Sequence, residues 1–197
     1  YVSRTITVQL IGEIMEWDAI VLGSGPAGAT AAMYLARANK KVLLIDKANF
    51  PRDKVCGDAQ GRKAGSIIKE LGLHDEYVKL EGQEIYGLTI SSPNSTVVDF
   101  DVETRDNPAP GWVHKRFVFD NFLFQNARKR VTEFRILNVN DVIIENDVVK
   151  GVRGTNSKGQ IEEHRCKILL AADGAVSVVA RKFNLDKNPP EHFIVAL

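Results

Sequence analysis

The chain is poor in cysteine, in net charge and in long apolar runs, and each shortage removes a class of protein. Only two cysteines occur in 197 residues, Cys56 and Cys166, far apart and in unlike surroundings. That argues against a disulfide framework and fits reduced thiols in a cytoplasm. Lys and Arg number 26 against 25 acidic residues, so no basic field is present to hold nucleic acid, and no nucleic-acid partner is expected. No apolar stretch reaches the roughly 18 residues that a membrane span needs. The four histidines, His74, His114, His164 and His192, show no ligand spacing, so no metal site is expected. No internal repeat is visible. What remains is a chain with 44% apolar residues, long enough for one good-sized core or two small domains.

The organising stretch runs from Asp18 to Asp46. A short apolar run, Asp18 to Leu22, meets the turn Gly23-Ser24-Gly25-Pro26-Ala27-Gly28, spaced G-x-G-x-x-G. Gly23 allows the tight turn, Gly25 lets the backbone approach a pyrophosphate, and Gly28 lets a helix pack close to the strand. The helix predicted over Ala27 to Ala38 directs its unpaired N–H groups and positive dipole end at the phosphates, without needing a basic side chain. Small residues, Ala29, Ala31, Ala32 and Ala36, let it lie flat on a sheet. Lys41 to Ile45 is the second strand, and Asp46 at its carboxyl end, with Lys47 beside it, is placed to accept both hydroxyls of an adenosine ribose. This stretch alone defines a dinucleotide cradle for which nicotinamide and flavin cofactors are equal candidates.

Residues 1–14 lack the order of a signal peptide, and Met15 reads as a natural start, with 1–14 an extension. A long irregular stretch follows Asp46, through Lys54, Cys56, Gly57 and Asp58 to Gly61, and its anchoring apolar residues favour function. Arg62 to Leu71 reads as an amphipathic helix with Ala64, Ile67, Ile68 and Leu71 on one side. From Gln83 the period changes to two, predicting a hairpin that ends at Val97 to Val102. A helix is expected over Phe117 to Val131, then strands at Phe134–Val139, Val142–Glu145 and Val148–Val152. A further strand at Ile161–His164 would pair with these, and Cys166–Ala172 reads as a buried strand. Asp173-Gly174 ends that strand before a helix at Val176 to Phe183. The carboxylate can then sit near a cofactor's ribityl or pyrophosphate region while Gly174 permits close backbone approach. His192 to Leu197 looks like a strand just beginning.

Four separated motifs, the glycine turn with its acid, Lys54-Val55-Cys56-Gly57-Asp58, Arg116 to Leu123, and Ala171 to Ser177, together resemble the geranylgeranyl reductases. The resemblance covers about Trp17 to Leu197 and is nearest to the archaeal membrane-lipid branch. It implies FAD as cofactor and an α/β fold: a Rossmann-like FAD-binding domain of the aromatic-hydroxylase and glutathione-reductase type, with inserted antiparallel strands beginning a substrate domain. The implied division is 15–82 and 112–187 for the FAD-binding domain, 83–111 for the β insertion, and 188–197 for the start of the substrate domain. It also implies that Cys56-Gly57 lies by the isoalloxazine ring, that Arg116 reaches the ribityl or phosphate oxygens, and that backbone groups near Val142 serve adenine. Where the family has a further basic residue this chain has Ala180, which leaves Arg181 as the charged contact. The implied activity is reduction of geranylgeranyl double bonds in membrane lipid precursors, with Cys56 or a water beside it as proton donor. A prenylated lipid substrate, an electron donor that is reduced nicotinamide or ferredoxin, and a cytoplasmic protein in transient contact with a membrane surface follow. The alternatives are a monooxygenase or halogenase of the same fold, and a non-catalytic FAD-binding fragment.

Overall fold

The computed structural model describes residues 16–55, 57–101, 111–187 and 189. The expected extension at 1–14, Cys56, most of the linker expected at Thr104–Gly111 and the strand expected from His192 lie outside those residues. In chain order the elements are β1 (Glu16–Leu22), α1 (Pro26–Arg37), β2 (Val42–Asp46), β3 (Ala59–Gln60), α2 (Arg62–Glu70), α3 (His74–Tyr77), β4 (Gln83–Ile85), β5 (Gly87–Ser91) and β6 (Val97–Asp101). Then follow β7 (Gly111–Val113), α4 (Arg116–Arg128), β8 (Glu133–Glu145), β9 (Val148–Asn156), β10 (Ile161–Ala171) and α5 (Val178–Lys182).

The central sheet is parallel where it carries the glycine turn. β1 runs beside β2 on one side and β10 on the other, and β2 runs beside the first residues of β8. The outer parts of β8 and β10 pair antiparallel with β9, which closes the hydrogen-bonded circuit β1-β10-β9-β8-β2. Every residue of β2 is buried. Alternation sends Leu43 and Ile45 to one face with Trp17, Ile20, Leu137 and Val152, and sends Val42 and Leu44 to the other with α1 and α4. A strand buried on both faces reads as a continuous apolar run, as VLLI does. Ala29 and Ala32 of α1 are fully buried against the second face, with Phe119, Phe122 and Leu123 of α4 in the same cluster.

Several expectations need correction. The strands expected at Phe134–Val139 and Val142–Glu145 are one strand, β8, with a register shift between Val139 and Asp141 that marks a bulge at Asn140. A bulge bends a strand without ending it; β8 pairs in parallel with β2 up to Ile136 and antiparallel with β9 from Leu137, and carries on through the bulge. The strands expected at Ile161–His164 and Cys166–Ala172 likewise merge into β10, and that strand is not buried throughout: Cys166 is covered, whereas Ile168 is 59% exposed. The hairpin expected from Gln83 begins later. Gln83–Ile85 pairs with β7, which also pairs with β3, while β5 and β6 alone make the hairpin. In α2, Ile68 is buried but Ile67 faces outward. Among the described residues no helix is long and apolar enough to cross a membrane.

Leu44 lies at the centre of the sheet and is fully buried. Leu44→Ala is expected to lower stability by about 2–5 kcal/mol, since the sheet and α1 collapse only partly into the space left; a shift of the urea midpoint at unchanged m-value measures it.

Candidate functional site

The glycine turn is pinned by backbone from a distant strand. Leu22 O accepts from Ala172 N at 2.8 Å, and Gly23 N donates to Ile45 O at 2.7 Å. Gly23 has φ +99°, and a Cβ there would overlap the Ala172 carbonyl. A Cβ on Gly28 would overlap the Gly23 carbonyl and press on Ala172. The turn is therefore sterically closed to any larger residue at these two positions. The chain between them opens α1 with Gly25 at its N-cap, which supplies no side-chain acceptor, and the first turn holds no acidic residue. Such a helix end, with Pro26 at its start and Ala27 next, leaves N–H groups for an anion.

Asp46 and Asp173 flank this end. Asp46 is nearly buried; Oδ2 accepts from Ser24 N at 2.6 Å and Oδ1 from Ala48 N at 2.9 Å. The carboxylate expected at a ribose thus also clamps the turn, while neighbouring Lys47 is exposed. Asp173 Oδ2 accepts from Val178 N at 2.8 Å, holding the start of α5, and its Oδ1 is buried without a partner. Ser24 Oγ is likewise buried and unpartnered. Unsatisfied buried oxygens are uncommon enough to mark where a ligand's donors fit. Gly174, φ +83°, is exposed with nothing within 4 Å of an added Cβ. Ser177 caps α5 by accepting from Ala180 N at 2.9 Å, and Arg181 is exposed in its last turn.

A second cluster lies beside the turn. Asp120, with no exposed surface, accepts from Arg116 Nε at 2.6 Å and Nη2 at 2.7 Å, and from Arg52 Nη1 at 3.1 Å. Two guanidinium groups from separate segments thus meet on one carboxylate. Arg52 also places Nη2 3.4 Å from where a Cβ of Gly25 would sit, in front of the glycine expected to face a pyrophosphate. Arg116, expected to reach the cofactor, engages the acid one helical turn along. Its place at a helix start, unfavourable for the dipole, is offset by that acid and by Asp58, whose Oδ1 accepts from Arg116 N at 3.2 Å and so caps α4 from another segment.

The loop from Arg52 to Asp58 is therefore tied at both ends while Lys54, Val55 and Gly57 between them are exposed. Gln60, just past it, is buried; its Nε2 donates to Asp58 O, so its Oε1 faces His114 Nδ1 at 2.8 Å. His114 is fully buried, stacked on Trp112 with centroids 5.3 Å apart and beside Tyr77 at 4.9 Å. Burial raises the Tyr77 phenol to about 12 and lowers the His114 imidazole from its ordinary value.

Off the carboxyl end of β2, where Asp46 pairs with Ile136, a cavity of about 630 Å³ has a mainly polar lining, Arg128, Arg135 and Glu162 among it, around the rings of Phe50, Phe124 and Phe134. Phe50 stacks on Phe124 at 4.3 Å, and Arg128 lies over Phe134. Flat rings and a guanidinium suit a heteroaromatic base. Val142, expected at adenine, is not part of this cavity: it is buried further along β8, paired with Val152.

Sequence reasoning overlooked Asp120, Gln60, the Phe50–Phe124 stack and any structural role of His114. The Arg116–Asp120 pair was available as an i,i+4 pattern. The other contacts join residues far apart in sequence, with no local signal.

Two outcomes are expected from this geometry. Asp120→Asn leaves two part-buried guanidinium groups facing a neutral amide and lowers stability by about 3–5 kcal/mol, as removal of one partner of a buried pair does; denaturant titration measures it. For His114, the unfolded imidazole takes its proton near pH 6.5, roughly its ordinary value, and the folded one only at lower pH. Between the two values the unfolded state binds more protons. This contribution to stability is full above about pH 6.5 and is lost as pH falls toward the folded value. The denaturation midpoint of His114→Asn is expected to lack that component of the decline.

The sequence profile of a family described as FAD binding domain matches residues 16–194. The chain is 36% identical over 174 residues to a digeranylgeranylglycerophospholipid reductase of Methanosarcina acetivorans, an overlap covering 86% of this chain and 40% of that protein. It is 30% identical over 185 residues to a 1H-pyrrole-2-carbonyl-(peptidyl-carrier protein) brominase of Pseudoalteromonas luteoviolacea, covering 93% and 44%. The solved structure of the flavin-dependent brominase Bmp2 superposes with a TM-score of 0.71 at 28% identity, over 80% of this chain and 38% of that one. The chain thus spans well under half the length of these relatives.

Proposed function

Since this chain belongs to the FAD binding domain family and takes FAD as its cofactor, we propose that it serves an oxidoreductase that reduces the geranylgeranyl double bonds of membrane lipid precursors. The unpartnered oxygens of Ser24 and Asp173, the uncapped start of α1 and the turn closed to any Cβ fit the cofactor's polar half. Gly23, Ser24, Gly25, Pro26, Ala27 and Gly28 would hold its diphosphate through backbone N–H groups, with Arg52 supplying charge and Asp46 the ribose contact. The aromatic cavity at Phe50 and Phe124 would take its adenine. Bound FAD supplies the hydride chemistry, its electrons coming from a reduced nicotinamide or a ferredoxin.

The observation that carries the lipid reading is the loop Lys54–Asp58, whose sequence resembles that of the reductases and in which Lys54, Val55 and Gly57 are exposed between two tied ends. In this reading Lys54, Gly57 and Asp58 border the reactive end of the cofactor, Arg116 and Asp173 with Gly174 border its middle, and Cys56 delivers the proton that each saturated bond requires in addition to hydride. A prenylated lipid as substrate carries with it transient contact with a membrane surface. The similarity to the brominase supports a second reading, in which the reduced cofactor meets oxygen and the product is halogenated or hydroxylated.

Reduced protein carrying this chain, incubated anaerobically with a geranylgeranylated glycerolipid, is expected to raise the lipid's mass by about two units per bond reduced. Cys56→Ala is expected to slow this by roughly 100-fold or more while keeping FAD, the range of a lost general acid. Unchanged lipid, with halogenated or hydroxylated product formed from an aromatic acceptor in air, selects the second reading instead.

A further inference from the structure

The most unusual buried group outside the glycine cradle is His114. An imidazole with no exposed surface and one ring nitrogen unpartnered is a costly way to fill a space between Trp112, Tyr77 and Phe119, which an aliphatic side chain would fill without the polar penalty. The surrounding chain is shaped to admit it: a Cβ on Gly82 would overlap His114 Cδ2. The nitrogen that is satisfied shows what the residue is for. Gln60 turns its amide N–H to Asp58 O, so its Oε1 can only accept, and His114 donates from Nδ1. His114 N donates to the same Asp58 carbonyl at 3.1 Å, and the Asp58 carboxylate accepts from Arg116 N. Asp58 is thereby held from the residue after β7, from β3 and from the start of α4.

We propose that the buried Gln60–His114 pair is a positioning element, which fixes Asp58 and so sets Gly57 and the segment before it at the flavin end of the cofactor. This rests on the reading, given above, that the loop borders the reactive end. Neither residue touches the cofactor. They act through the Asp58 backbone, and the bond between them is one that no pair of aliphatic residues reproduces. The adenosine half of the site, built on Asp46, the glycine turn and the aromatic cavity, does not depend on this bond.

The test separates the two halves of the ligand. FAD and ADP affinities are measured for the chain, for Gln60→Met, which cuts the bond while leaving the imidazole packed, and for His114→Asn, whose amide N–H can replace Nδ1–H. Gln60→Met is expected to keep ADP affinity within about twofold, to weaken FAD roughly tenfold, and to shift the visible absorption of bound flavin toward that of free flavin. His114→Asn is expected to recover both affinity and spectrum. Equal loss of ADP and FAD affinity in Gln60→Met would mean general support of the fold and overturns the proposal, as does an unaltered flavin spectrum. Should Gln60→Met not fold, His114→Asn and His114→Leu give the same comparison. A parent chain that binds FAD no better than ADP overturns the reading of the loop itself, and the positioning proposal with it.

Discussion

The structure depends on one close approach of two backbones, Gly23 against Ala172. Parallel pairing of β1 with β10 carries Ala172 to the glycine turn, where Ala172 N meets Leu22 O, and the absence of a side chain at Gly23 lets the two segments touch. Gly28 folds α1 back over the same point. From this contact follow the direction of the α1 N-terminus, the position of Asp173 one residue beyond Ala172, and the placement of Asp46 within reach of Ser24 N. A methyl group at either glycine would push apart elements that otherwise share one polar end, so the constraint is steric before it is chemical.

Charge is then arranged around that end by burial. Asp120 has no access to water and would be unfavourable alone, but the two arginines that meet it come from different segments and make it a joint. Arg52 ties the loop after β2 to α4, Asp58 ties the same loop to the first N–H of α4, and the Arg52 guanidinium stays beside Gly25. The helix dipole and the glycine backbone therefore do not act alone on an anion. A guanidinium held by a buried partner has already lost its side-chain freedom in the folded protein, so contact with a phosphate would order nothing further.

The parts legible in the sequence are those whose cause is local. The alternation in VLLID, the alanines of α1 and the spacing of three glycines each report a geometry set within a few residues. Asp46 and Asp173 were legible because each ends a strand whose direction was already known. The sequence was silent where the cause is distant. Nothing near Arg52 predicts Asp120, and nothing near Gln60 predicts His114, because each pair is joined by the closing of the sheet and not by a period. The bulge at Asn140 misled in the other direction: polar residues inside β8 read as a break between strands, whereas pairing with β9 carries the strand through it.

The relatives named as a lipid reductase and as a brominase match nearly the same span of this chain, so the cradle itself cannot select between their reactions. Its contacts explain why. Backbone N–H groups, a strand-end acid and an arginine recognise a diphosphate and a ribose, which are the same whichever reaction the cofactor performs. In the proposed reading, selection would reside in residues that reach the other end, those of the loop between Arg52 and Asp58 and the surfaces around it. The β5–β6 hairpin is another exposed surface of the chain. Leu88, Ile90, Val98 and Phe100 share one face and are about half exposed, while Thr89 and Asp99 bond to each other on the opposite face. From Gln83 to Asp101 the chain carries Glu84, Asp99 and Asp101 but no lysine or arginine. An apolar face without cations has no electrostatic attraction to anionic headgroups, so whatever it meets is held by its hydrocarbon and not by its charge.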